Sequence, residues 1–229
     1  MNRQRIARLT GLLYWGTIIA GLYAEVAVRS KLAVSEDAAA TARNISAGTG
    51  LYRSGEAADL VMLCCYIAVT ALFYRLFRPS DRTLSVLAAC FSLVGIAVLA
   101  AAGVMHMAPL TLMQEPGAFG LEEGARNAFI GLSLELHGTL YGISLVFFGF
   151  YCILIGTLAF RSRLIPAPVS WIMIIGGLYH VTARFIAILS PETATLVPSI
   201  LNLLPLLGEA AIASWLLMFG LREPKDIRV

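Results

Sequence analysis

The sequence predicts an all-α, polytopic membrane protein: a bundle of six transmembrane helices with both termini cytoplasmic and a short helix at the outer interface. Three observations carry that expectation. Hydrophobic residues make up 59% of the 229 residues and charged ones 14%, against about 45–50% and about 25% in soluble domains, and the mean hydropathy is +0.80. The charges are segregated, so that long runs free of Asp, Glu, Lys and Arg alternate with short polar segments. The basic residues gather in every second connection. This composition excludes a secreted disulfide scaffold, a nucleic-acid binder and a disordered tail. The net charge of +3, from 17 basic and 14 acidic residues, is too small an excess for a polyanion partner.

Each span needs ~20 mostly apolar residues. The first runs over Leu9–Ala24 and continues past Glu25 to Val28; the second is Leu60–Tyr74; the third lies within Thr83–Gln114. Leu136–Phe160 and Leu164–Ala183 follow, and the sixth runs from about Val197 to Leu221, interrupted by Glu209. The first could be read as a signal peptide, but its apolar run is long for one and no small-x-small cleavage site follows. It is kept as a span, and residues 1–229 form one membrane domain. Eleven basic residues flank the spans on one side: Arg3, Arg5, Arg8, Arg75, Arg78, Arg82, Arg161, Arg163, Arg222, Lys225 and Arg228. Arg29, Lys31, Arg43, Arg53 and Arg126 fall on the other. The excess sets the termini in the cytoplasm, and Trp15, Trp171 and Trp215 lie near that face as half an aromatic belt.

The outer loops are the long ones. In the loop from Arg29 to Gly55, Ser35 reads as the N-cap of a short Ala-rich helix lying at the interface. Asn44-Ile45-Ser46 has the form of a glycosylation sequon, relevant only in a eukaryotic secretory setting. A turn-rich acidic loop is expected from about Met107 to Asn127, with Pro109 and Pro116-Gly117 as breakers. The four cysteines, Cys64, Cys65, Cys90 and Cys152, lie inside spans without a C-x-x-C and read as small packing residues.

Ionisable side chains at membrane depth are costly and face the bundle interior or a cavity. Glu25, Asp59, His106, Glu135, His137, His180, Arg184 and Glu209 all fall at the midplane or toward the outer face, and none falls in the inner half. This one-sidedness predicts a polar cavity open to the outside above a dry, packed inner half. Candidate cavity residues are Glu25, Asp59, His137, His180, Arg184 and Glu209. Pro198, Pro205 and Gly208 precede Glu209 and suggest a kinked helix beside a buried carboxylate, a transporter device; the plainer alternative is a packing kink with Glu209 neutralised by Arg184. Three histidines on three helices raise a zinc centre, or a haem between His137 and His180, but no local ligand motif supports either, and no cofactor is expected. No phosphate loop, G-x-S-x-G, H-E-x-x-H or lipidation signal is present.

Several segments carry a resemblance. Gly11-Leu12-Leu13-Tyr14, Gly21-Leu22-Tyr23-Ala24-Glu25, Asp37 to Ile45, Gly55-Glu56-Ala57-Ala58-Asp59-Leu60, Phe147-Phe148-Gly149-Phe150, Gly176-Gly177-Leu178-Tyr179 and Gly208-Glu209 with Trp215-Leu216-Leu217 resemble a bacterial family of multi-span membrane proteins defined by a domain of unknown function. The resemblance spans nearly the whole chain. It implies the six-span fold, residence in a bacterial inner membrane, and Glu25, Asp59 and Glu209 as polar landmarks. It implies no activity. Members often carry a histidine where this chain has Tyr151 and an acid where it has His180, which weakens a shared histidine metal site.

Three functional readings follow. The first is a protein that binds or transports a small molecule, lipid head group or proton in an outward-facing cavity, with Glu209 and Glu25 titrating and Arg184 anchoring an anionic group. The second is a metal-dependent intramembrane hydrolase or transferase acting at the outer leaflet through His137 and His180. The third is a non-catalytic scaffold. Membrane lipids are the one partner the sequence implies in every case.

Overall fold

A computed structural model describes residues 2–34, 37–113 and 118–222. Among these the chain is helical throughout, with no strand. The first span, α1 (Arg3–Leu32), contains a π-helical segment over Tyr23–Arg29. A ten-residue helix, α2 (Ala38–Ala47), follows, then α3 (Thr49–Phe77), α4 (Arg82–Met113) and α5 (Glu123–Ser162). The chain continues with α6 (Ala167–Leu189), a single turn α7 (Pro191–Thr195) and α8 (Leu203–Met218), introduced by a 3₁₀ turn at Ser199–Asn202. Six helices are long and apolar enough to cross a bilayer: α1, α3, α4, α5, α6 and Ser199–Met218, which includes α8.

The spans form a closed ring in chain order. Each packs on the next, and α8 returns to α1. Gln4 closes the ring by donating to Leu221 O at 2.7 Å and accepting from Leu221 N at 2.8 Å, so the start of α1 and the stretch after α8 share one end. The half of the ring nearer that end is filled by Tyr14, Phe73, Phe77, Ile155, Leu158 and Leu216, all under 3% exposed. Tyr14 meets Phe73 edge-on at 5.9 Å. Lipid offers no hydrophobic drive for helices to associate, so close packing holds such a bundle together. α1 and α8 approach most closely, a Cβ on Gly11 lying 2.5 Å from Leu217 N, and α5 and α6 nearly match them: a Cβ on Gly177 would lie 2.6 Å from Gly149 O, and one on Gly149 would lie 2.9 Å from Gly177 O. Gly176 meets Pro205 of α8 just as tightly, its Cβ position lying 2.8 Å from the proline Cα. These contacts seat α6, with His180 and Arg184 one and two turns further on, between α5 and α8.

Several sequence expectations are corrected. The segment 29–55 is mostly helix rather than loop: α1 runs on to Leu32 and α3 starts at Thr49. The short helix does form, but Asp37 caps it, accepting from Ala40 N at 2.7 Å; Ser35 lies outside the described residues. α4 carries Pro109 within it and ends at Met113, and α5 begins at Glu123, so His137 lies nearly four turns into its helix. Pro116-Gly117 lies outside the described residues. The prolines of the last span start it and do not kink it: Pro198 precedes the 3₁₀ turn and Pro205 sits in the first turn of α8, where its missing N–H leaves no bond unmade.

Candidate functional site

Two chambers lie in the half of the ring away from the termini, beside a packed cluster of Val28, Leu32, Ile45, Tyr52 and Leu110. One chamber, of about 570 Å³, is lined by polar side chains from five helices: Glu25 and Arg29 of α1, Tyr52 of α3, His106 of α4, His137 and Tyr141 of α5, and Arg184 of α6. A second, of about 410 Å³, lies deeper and is lined by Glu25, Tyr66, Tyr141, His180, Arg184 and Glu209 among others. Glu25, Tyr141 and Arg184 line both, so the two chambers meet at these residues and form one cleft.

The π-helical segment positions the upper wall. Its wider turn lets Ser30 N–H reach back five residues to Glu25 O, and such segments re-aim side chains that a regular helix would send elsewhere. Arg29 then bridges two acids: Nε reaches Glu25 at 2.8 Å, and Nη1 reaches Asp59 of α3 at 2.5 Å. The Arg29 and Asp59 side chains are 12% and 13% exposed, while Glu25 is 58% exposed. The Arg29–Asp59 pair is thus a buried tie between α1 and α3.

Behind it, Tyr52 stacks on His106 with ring centroids 4.3 Å apart and donates its hydroxyl proton to the His106 carbonyl. The His106 ring lies 5.0 Å from that of His137. His137 Nδ1 is 3.0 Å from Ala102 O; a carbonyl only accepts, so Nδ1 is the donor and the neutral ring presents Nε2 as an acceptor. His106 Nε2 is buried without a partner.

At the floor, Tyr66 donates to Glu209 Oε1 at 2.9 Å and Cys152 Sγ lies 3.7 Å from the same oxygen. Tyr14 and Tyr151 flank Tyr66, with ring centroids 5.9 and 6.1 Å away, and their buried hydroxyls have no partner. Arg184 makes no ion pair among the described residues. The alternative in which Arg184 neutralises Glu209 therefore fails: a tyrosine serves the carboxyl, and the guanidinium stands free at the junction of the chambers.

Of the residues singled out from sequence, the structure brings Glu25, His137, His180, Arg184 and Glu209 to the cleft, while Asp59 acts behind the wall through Arg29. The three histidines do not converge. His106 and His137 meet in the upper chamber and His180 lines the lower one. Among the described residues no three His, Cys, Asp or Glu side chains are grouped so as to hold a metal ion. Sequence reasoning missed Arg29, Tyr52 and Tyr66. The four-residue step from Glu25 to Arg29 would have signalled the first, had the helix been extended that far; a tyrosine in an apolar span gives no signal of its own.

These features define a six-span helical membrane protein with a polar cleft in one half of the bundle. The chain belongs to the family described as Domain of unknown function (DUF4386), whose model matches residues 9–220. No curated protein matches it. No solved structure matches it.

Proposed function

We propose that this protein binds a small anion, free or as the head group of a lipid, in the cleft, with Arg184 as its anchor and Glu209 as the group that exchanges a proton when the ligand enters or leaves. The observation that carries the reading is Arg184: an arginine inside the bundle, at the junction of both chambers, with no ion pair among the described residues. Unpaired charge at membrane depth is expensive and marks a ligand or ion path. Arg29, by contrast, is satisfied by Glu25 and Asp59. The planar guanidinium suits two oxygens of a carboxylate or phosphate.

The cleft opens to the outside of a bacterial inner membrane in this reading. The concentration of arginines at the terminal end of the bundle supports that orientation, and the cleft lies at the other end. The hydrolase reading needs His137 and His180 together, and they line different chambers. The scaffold reading leaves Arg184 without a role.

The test is binding of inorganic phosphate, acetate and a short-chain phosphatidylglycerol to the purified protein between pH 5 and 8. The reading expects saturable binding, and for phosphatidylglycerol, whose phosphodiester keeps its charge over this range, an affinity that changes with pH in the wild type and much less in Glu209→Gln. Affinity independent of pH, and unchanged in Glu209→Gln, would refute the proton role.

A further inference from the structure

A third cavity lies outside the polar cleft. It is a groove of about 680 Å³ running along the seam of α4 and α5, walled by Leu60, Ala100, Val104, Met107, Leu132 and Leu136. Leu60, Val104, Leu132 and Leu136 are all exposed on the outer surface of the ring, so the groove faces lipid and not the interior. One carboxylate, Glu56 of α3, also lines it.

Glu56 reaches the groove through a notch. A Cβ on Gly103 would lie 2.7 Å from Glu56 Oε1, so any larger residue there would push the carboxylate aside. The other oxygen, Oε2, is buried and has no hydrogen-bond partner. Arg29 does not serve it, being held by Asp59 and Glu25. A buried carboxylate oxygen left unpaired carries its full desolvation penalty, so a donor from outside the chain fits here.

Helix length fixes the level of this notch. The 23 residues of α6 span about 34 Å, close to the ~30 Å hydrocarbon core. Gly103 stands about 32 Å along α4 from its start at Arg82, where the hairpin from α3 turns. Glu56 therefore meets the groove at the height of the lipid head groups, with Leu60 and Ala100 on the hydrocarbon side of it.

We infer that the α4–α5 groove is a specific site for a phospholipid with a primary ammonium head group: the ammonium donates to Glu56 and the acyl chains lie against the aliphatic walls. A primary ammonium supplies N–H donors, whereas a quaternary one supplies none and an anionic head group is repelled. The site stands apart from the cleft and does not rest on the anion-binding reading.

The experiment reconstitutes the full chain into vesicles of equal parts phosphatidylethanolamine, phosphatidylcholine and phosphatidylglycerol, extracts it in mild detergent, and counts retained lipids by native mass spectrometry. The wild type should retain phosphatidylethanolamine at least tenfold in excess of phosphatidylcholine, the quaternary-ammonium lipid. Glu56→Gln should lose that excess, and so should Gly103→Ala, which keeps the charge but displaces the carboxylate and serves if Glu56→Gln fails to fold. Arg75→Gln, at an exposed arginine near the other end of α3 and outside every cavity described above, should keep it. The inference is overturned if the wild type shows no preference, if Glu56→Gln and Gly103→Ala retain it, or if Arg75→Gln abolishes it as they do.

Discussion

Removing the carboxylate of Asp59 tests how the mouth of the cleft is held open. Asp59 meets Arg29 at 2.5 Å with both side chains about one-eighth exposed. Breaking a buried pair by removing one partner strands the other charge and costs about 3–5 kcal/mol. The Glu25 side of the same guanidinium is different: that pair is 2.8 Å long, but Glu25 is 58% exposed, and exposed pairs contribute about 0–1 kcal/mol. Asp59→Asn should therefore destabilise the protein by about 3 kcal/mol and Glu25→Gln by less than about 1 kcal/mol. Arg29→Met combined with Asp59→Leu should recover much of the loss, because well-packed apolar pairs replace buried ion pairs with little penalty. The assay is SDS-induced unfolding in mixed micelles, followed by tryptophan fluorescence. Equal effects of Asp59→Asn and Glu25→Gln, or no rescue in the double variant, would refute the assignment of the tie to Asp59.

Three further outcomes are expected. Tyr66→Phe removes the donor to the Glu209 carboxyl and should cost about 1.5–3 kcal/mol, while Tyr14→Phe, whose hydroxyl has no partner, should cost less; the same unfolding assay compares them. Gly177→Leu places side-chain atoms against the α5 backbone and should prevent folding, whereas Gly138→Ala, with no neighbour within 4 Å of its Cβ position, should be neutral or stabilise the helix by up to about 1 kcal/mol; monodispersity on gel filtration and unfolding curves read both. In intact cells, a cysteine placed at Ser46 in a cysteine-free background should react with an impermeant maleimide, and one at Ser80 should react only after permeabilisation. The reverse pattern would contradict the proposed orientation.

The fold was legible because runs without charge are the direct signature of a span. The ends of the helices were less so, and for one reason: past the hydrocarbon, helices carry charged residues, and a search for charge-free runs stops there. Residues 49–55 and 123–127 are helical yet polar enough to read as loop. The same blind spot hid Arg29 and Tyr52, which become wall residues only because α1 and α3 continue as helices. The prolines near Glu209 were read as a kink because sequence alone does not say that α8 begins at Leu203. Individual site residues were visible as ionisable groups in apolar surroundings. Their partners were not, because pairing depends on how each helix is rotated: Glu209 faces Tyr66 rather than Arg184, and His106 faces His137 rather than His180.

The central claim is that Arg184 anchors an anion in the cleft, and isothermal titration of inorganic phosphate, acetate and a short-chain phosphatidylglycerol into the purified protein tests it most directly. The account predicts saturable binding of at least one of them, weakened tenfold or more in Arg184→Gln and unchanged in Arg53→Gln, an exposed arginine outside the cleft. If all three bind the wild type and Arg184→Gln alike, or none binds the wild type, Arg184 does not anchor an anion.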